Sequence, residues 1–340
     1  MTLSRLGRGL RMIARLRTLP SRMVAVERSV RRMEISQREQ RREIQQGLAQ
    51  LMLPEEAVWR GQPPLLANVT PGERVFDRGA MCRQDSFQQP YFSFWTTRLG
   101  EGLRYHRKLW EFVFISQALW ERGVCAGGRR GLGFGVGREP LTAMFASEGV
   151  KIMATDLAPD GKAEAGWAAT KQHADGKEAL RNSAVCDDDL FDRNVEFRFC
   201  DMNAVPDDLV GYDFCWSACA LEHLGSIEKG LAFIERSIDC LTPGGWAVHT
   251  TEYNVSSDDE TVDNLGTVLF RKRDFEALAD RLRAKGHEVA AMDWDPGEGP
   301  VDRYLDMPPY RHDPHLKMVL MGFTTTSIGI IVRRGETTST

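Results

Sequence analysis

Residues 131–156 read Gly131-Leu132-Gly133-Phe134-Gly135-Val136-Gly137, then a helix-like run opened by Pro140 and closed by Gly149, then an apolar strand from Val150 to Thr155 ending in Asp156. A glycine-rich turn between a strand and a helix lets the backbone come close to a ligand, and the helix start adds unpaired N–H groups. An acid at the tip of the next strand can hold a ribose diol. Together these features describe a pocket for an adenosine-containing cofactor, set in an α/β fold.

The glycine spacing separates two chemistries. A dinucleotide fingerprint needs Gly-x-Gly-x-x-Gly/Ala, but counting from Gly131, Gly133 or Gly135 the sixth position is Val136, Arg138 or Pro140. An NAD-dependent oxidoreductase is therefore the weaker reading. The Gly-x-Gly-x-Gly pattern resembles motif I of the class I S-adenosylmethionine-dependent methyltransferases, with Asp156 at the place of that family's ribose-binding acid.

Working outward, further motifs arrive in that family's order. Asp201-Met202 follows a strand signal at Val195 to Phe199, Asp213-Phe214-Cys215-Trp216-Ser217 leads to Leu221-Glu222-His223-Leu224, and Leu241-Thr242-Pro243-Gly244-Gly245 precedes a strand. These resemble the family's adenine-contacting acid with its apolar neighbour, its "EHL" signature and its "LKPGG" turn. The resemblance covers about residues 120 to 334. It implies a Rossmann-like, mostly parallel seven-stranded sheet and S-adenosylmethionine as cofactor. The implied cofactor contacts are Gly133, Phe134, Gly135, Gly137, Asp156, Leu157, Asp201, Met202 and Ser217. One departure stands out: where the family often has an acid two residues before the first glycine, this chain has Gly131. Another group must serve the methionine portion.

The alternating signals place strands at Val150–Thr155, Val195–Phe199, Tyr212–Trp216, Trp246–Thr251, Glu288–Met292 and Thr324–Val332, with helices between them, the pattern of a parallel sheet with crossover helices. Ligand crevices of such sheets lie beyond the carboxyl ends of strands. Glu222, His223 and Glu252 fall there and are the candidate acid–base residues: the imidazole titrates near neutrality, and either carboxylate can orient it. Tyr253 and Asn254 are candidate acceptor contacts. A helix expected over 98–122 caps the pocket in the resembled family, which makes His106 or Arg107 a further candidate for facing substrate. His312 and His315 show no compact ligand spacing, and no metal site is assigned.

Composition bounds the rest. The 340 residues are 42% hydrophobic and 27% charged, ordinary for a globular protein able to bury a sizeable core. Seven cysteines form no Cys-x-x-Cys pair and read as reduced thiols of a cytoplasmic protein. No apolar run approaches a membrane span. Residues 1–50 hold 12 Arg, no Lys, four Glu and no Asp, a net of +8 against −12 for the remainder. An acidic body disfavours nucleic acid, whereas a basic arm suits an anionic surface.

The chain is expected to divide into a basic helical arm over 1–53, an irregular connection over 54–97, the methyltransferase domain over 98–334 and a disordered tail over 335–340. The arm reads as a long helix with coiled-coil character, a route to a homo-oligomer, and residues 3–17 as a basic amphipathic segment for peripheral contact with the inner membrane face. The acceptor is expected to be a sugar, glycan or other polar small molecule, methylated on oxygen. The non-enzyme alternative is an inactive methyltransferase-like scaffold that works through the arm.

Overall fold

The computed structural model describes residues 28–33, 36–37, 40, 63–72, 74–158 and 173–336. The chain divides into a unit of Met1–Leu53 with Leu320–Gly322 and a unit of Pro54–Val319 with Phe323–Thr340. In the first, residues 28–33 are helical; of the heptad seam expected at Met23, Val26, Val30, Met33, Gln37, Gln40, Ile44 and Leu51, positions 30, 33, 37 and 40 are described and exposed. The amphipathic segment 3–17, seam positions 23, 26, 44 and 51, and residues 337–340 of the tail lie outside the described residues. Among the described residues no helix is long and apolar enough to cross a membrane.

The second unit is built on a ten-stranded sheet. Its strands are β1 (Ala80–Met81), β2 (Arg130–Gly133), β3 (Lys151–Asp156), β4 (Val195–Phe199), β5 (Tyr212–Ala218), β6 (Leu241–Asn254), β7 (Glu288–Val289), β8 (Leu305–Asp306), β9 (Lys317–Leu320) and β10 (Phe323–Arg333). The helices are α1 (Pro90–Arg98), α2 (Arg107–Trp120), α3 (Leu141–Ser147), α4 (Asp188–Asn194), α5 (Ile227–Asp239), α6 (Lys272–Ala284) and α7 (Pro300–Arg303). The main path runs β4-β3-β2-β5-β6-β10-β9-β8, with β1 and β7 also pairing with β10.

Strands β2 to β6 are mutually parallel and β10 is antiparallel to β6. From β2 the chain steps outward to β3 and β4, then returns to the other side of β2 for β5 and β6. The order therefore reverses between β2 and β5, and a crevice opens at their carboxyl ends.

Three sequence expectations change. The sheet gains β1, β8 and β9 beyond seven strands, each contributed by a segment of two to four residues too short to show alternation. The stretch over 54–97 is not wholly irregular, because α1 starts at Pro90, whose fixed φ suits a first helical turn. Pro243-Gly244-Gly245 does not lie outside the sheet: β6 begins at Leu241, and the register against β5 shifts between Tyr212 and Phe214 while Gly244 takes φ +76°. The three residues form an irregularity within the ladder.

The sheet has apolar layers on both faces. On one, Trp110, Phe114, Phe145, Phe191, Phe214 and Trp216 are buried; on the other, Phe134, Leu231, Phe233, Ile234, Ile238 and Leu282. Helix α5 shows how the pattern works locally. Ser226 accepts the Lys229 N–H at 3.2 Å as its cap, and Ile227, Leu231, Ile234 and Ile238 recur on its buried face. Helix α2 lies close over β10 because position 329 is glycine, where a Cβ would run into the Phe114 ring. That close approach carries the first turn of α2 to the strand ends.

Candidate active site

The turn after β2 is pinned from both sides. Phe134 N–H donates to Trp216 O at 2.9 Å and Val136 N–H to Thr155 O at 3.1 Å. Gly135 and Gly137 take φ +57° and +53°, and a Cβ on Gly135 would lie 2.9 Å from Ala220 Cβ and 3.2 Å from Met202 Sδ. Glycine at 135 thus satisfies both the left-handed backbone and the close approach of the segment after β5. At 131 an acid has no room: a Cβ there would meet Phe214 at 2.6 Å and Ile152 at 2.8 Å. The departure from the family pattern at Gly131 therefore has a packing cause.

Two of the expected cofactor contacts, Phe134 and Ser217, point elsewhere, and a third, Asp156, is already engaged. The Phe134 ring is fully buried, edge-on to Phe233, so position 134 offers its backbone. Ser217 is also fully buried, and its hydroxyl pairs with His249 Nδ1 at 2.8 Å, because alternation on β5 sends Cys215 and Ser217 to the α5 face and Phe214 and Trp216 to the other. Asp156 reaches the turn but is already engaged: its oxygens accept from Gly137 N–H (3.1 Å), Leu157 N–H (2.7 Å) and Ala174 N–H (2.8 Å), and His173 Nδ1 lies at 3.2 Å. A ribose would have to displace some of these partners. Leu157 is half-buried beside it; Asp201 is exposed and accepts the Asn203 N–H at 2.8 Å, while Met202 is buried against the turn.

Beyond the turn, β5 is followed by Cys219, a non-glycine residue at φ +48° and therefore in a backbone region that L-residues rarely occupy. The chain then folds Glu222 and His223 over the end of β6. Glu222, buried, accepts the Thr251 hydroxyl at 2.9 Å; Glu252, also buried, is paired with Arg107. Burial pushes the Glu252 carboxyl up to about 7 and raises Glu222 as well, each held higher by neighbouring carboxylates.

Helix α2 closes this cluster with one face of its first turns. Arg107 and Lys108 both lie within reach of the fully buried Glu111, at 3.6 and 3.2 Å. Arg107 also donates to Ser327 Oγ at 3.1 Å, and Lys108 to the Ala218 carbonyl at 2.9 Å. Glu111 accepts the Cys219 thiol at 2.9 Å and the Ser327 hydroxyl. Arg107 was a sequence candidate beside His106; Lys108, Glu111, Cys219 and Ser327 were missed as site residues. Glu139 was missed too: it is buried one residue beyond the turn's last neighbour, Arg138, accepts the Trp216 indole N–H at 2.9 Å, and is pushed by burial up to about 8.

The other expected residues take structural places. His223 Nδ1 faces the Gly266 carbonyl at 3.0 Å, an acceptor, so that nitrogen carries the proton; burial lowers the ring to about 4, a weak base at neutrality. His106 caps α2, its Nδ1 accepting the Lys108 N–H at 3.1 Å, and its ring stands 4.8 Å from that of His315. Tyr253 lies on the opposite face of β6 from Glu252, packed with Trp294 at 5.7 Å. Asn254 ties the following turn, giving its amide to Glu260 O and accepting from the Ser256 and Ser257 N–H groups.

The parallel order with its reversal at β2 and β5, the antiparallel strand between β6 and β7, and the glycine turn at the reversal point together decide the architecture. The chain has the class I methyltransferase fold. No family model matches it, and no curated protein does. Among solved structures it is similar to a putative sarcosine dimethylglycine methyltransferase from Galdieria sulphuraria, at 14% identity over 73% of this chain and 99% of that one, with a TM-score of 0.43. It is also similar to the CcbJ methyltransferase from Streptomyces caelestis, at 13% identity over 67% and 94%, TM-score 0.37. A third is the [4+2]-cyclase SpnF, at 18% identity over 65% and 81%, TM-score 0.39.

Proposed function

We propose that this chain is an S-adenosylmethionine-dependent methyltransferase that methylates the hydroxyl of a polar small molecule, a sugar or glycan being the acceptor class its motifs resemble. The observation that carries the reading is the contact between the glycine turn and the segment after β5. Gly135 lies against Ala220, and the next residues on either side are Cys219 and the Leu221-Glu222 pair, so a donor in the turn borders the buried carboxylates.

The methyl group is activated by the cofactor's own sulfonium, which leaves the protein to align the acceptor and exclude water. The chain's residues supply both. Gly133 and Gly135 let Trp216 and Ala220 pack tightly against the turn that would hold the donor, and Met202 gives an apolar wall. Glu222 and Glu252 receive the acceptor's proton, since a carboxyl raised to about 7 matches the pH at which a general base works best. Arg107 fixes Glu252 in place.

Calorimetry with S-adenosylhomocysteine and NAD side by side tests the cofactor. The expected result is heat from the first alone, with binding lost in Gly135→Val, whose side chain fills the space beside Ala220; heat from NAD alone overturns the reading. Incubation with methyl-labelled cofactor and fractionated cell extract tests the acceptor. Label in a glycan or small-molecule fraction supports the acceptor class, and label in protein or nucleic acid overturns it.

A further inference from the structure

Beside the glycine turn, the Cys219 thiol and the Glu222 and Glu252 carboxylates each offer one ligand atom, and these three atoms lie within 4.8 Å of one another. All three residues are buried, at 7%, 1% and 3% exposure. Buried anionic groups gather only when something compensates them. Arg107 and Lys108 do so in part. With the thiol ionised, Glu111, Glu222, Glu252 and Cys219 carry four negative charges against two positive ones, leaving the charge of one divalent cation.

A second observation points the same way. Glu252 gives one oxygen to Arg107, while the other, Oε2, is buried with no hydrogen-bond partner. An orphaned carboxylate oxygen in the interior is costly. Beside it, Glu222 Oε2 accepts from Thr251 at 2.9 Å, and Oε1 lies 4.0 Å from His223 Nε2. Glu252 Oε2 is thus available for a further ligand.

We propose that Cys219, Glu222 and Glu252 bind one divalent cation of the zinc class. A thiolate with two carboxylates selects a borderline-soft ion over magnesium or calcium, and three protein ligands with a fourth position open is the pattern of a catalytic rather than a structural zinc site. The fourth position would take the acceptor oxygen; that detail rests on the methyl-transfer reading, whereas the binding site does not. Each carboxylate ligates through a single oxygen, and Glu222 keeps the Thr251 hydrogen bond through Oε2. Binding breaks the S–H bond and forms a metal–sulfur bond, and the thiol proton leaves to buffer together with any proton shared by the carboxylates.

Cobalt titration of the metal-free full-length protein tests this, because a cobalt–thiolate bond gives a near-ultraviolet charge-transfer band. The expected result is uptake of one cobalt per chain, a band that disappears in Cys219→Ser and persists in Cys240→Ser, and proton release seen as a buffer-dependent heat. No uptake by the wild-type protein, or a band that survives Cys219→Ser, overturns the proposal. Should Cys219→Ser fail to fold, Glu252→Gln decides: at least a tenfold weaker cobalt Kd is expected, and an unchanged Kd overturns the site. S-adenosylhomocysteine binding on the same preparation separates the two readings. Its absence overturns methyl transfer alone, and the cobalt result still decides the metal.

Discussion

The indole N–H of Trp216 donates to Glu139 at 2.9 Å, tying the residue after the glycine turn to the middle of β5. Because burial holds Glu139 near 8, the carboxyl is largely protonated at neutrality and can be replaced by an amide of the same shape. Its ionisation in the unfolded chain begins near 4.5, so the folded state binds the extra proton and stability falls as pH rises from there towards 8. Urea melts across that range should show the fall in the wild type, at up to about 1.4 kcal/mol per pH unit from this group. Glu139→Gln is expected to flatten it. Glu139→Ala should cost about 1–3 kcal/mol at low pH, since it strands a buried donor, and the cost should shrink as pH rises towards 8.

In the metal-free protein Glu252 is expected to set the acid limb of the methyl-transfer rate. With its carboxyl at about 7, activity should rise as pH passes through that value and the base ionises. Glu252→Gln keeps an acceptor oxygen for Arg107 and removes the ionisable group. Its expected effect is a loss of about 10²–10⁴ in kcat, with the limb near 7 gone and S-adenosylhomocysteine affinity retained. A variant with full activity and an unchanged profile would place the base elsewhere.

How far the sequence foretold this site follows from distance along the chain. Gly135, Glu222 and Glu252 sit in local patterns, a glycine turn and two strand ends, which one sequence displays. Period-2 alternation on β6 also carried a signal that the sequence reading passed over: if Glu252 faces the crevice, Tyr253 faces α6, and the two cannot both line the pocket. Arg107, Lys108 and Glu111 come from a helix more than 100 residues before Cys219, and Ser327 from β10, 108 residues after it. Their convergence depends on how α2 packs over Gly329, which no local pattern records. The left-handed backbone at Cys219 is hidden for the same reason, because tertiary contacts, not residue type, impose it.

Asp156 makes a prediction that differs from that of a simple ribose ligand. A carboxylate has about four acceptor sites, and Gly137, Leu157, Ala174 and His173 already approach it. Asp156→Ala should therefore unpin the glycine turn, lowering stability by about 1–3 kcal/mol as well as weakening S-adenosylhomocysteine binding. Thermal melts and calorimetry on the same variant check this. Lost binding with an unchanged melting temperature would instead mean that the acid serves the ligand alone.

The buried trio Ser217, His249 and Ser237 permits a tautomer assignment. Ser237 donates its hydroxyl proton to Ile234 O at 2.7 Å, so towards His249 Nε2, at 3.0 Å, its oxygen can only accept. Nε2 then carries the proton, Nδ1 is the acceptor, and the Ser217 hydroxyl donates to it at 2.8 Å. Nitrogen NMR shifts should show the Nε2–H form in the wild type. Burial holds this ring down to about 3, against 6.5 outside the fold, so it stays neutral when folded while the unfolded chain takes up a proton. Its contribution to stability is full above 6.5 and declines as pH falls towards 3. Between pH 8 and pH 5 the wild type should lose about 2 kcal/mol from this source, and His249→Gln should not. Ser217→Ala removes the donor to Nδ1 and should destabilise by about 1–3 kcal/mol, leaving S-adenosylhomocysteine affinity unchanged because the hydroxyl points into the α5 layer. A loss of that affinity without a loss of stability would return Ser217 to the cofactor pocket.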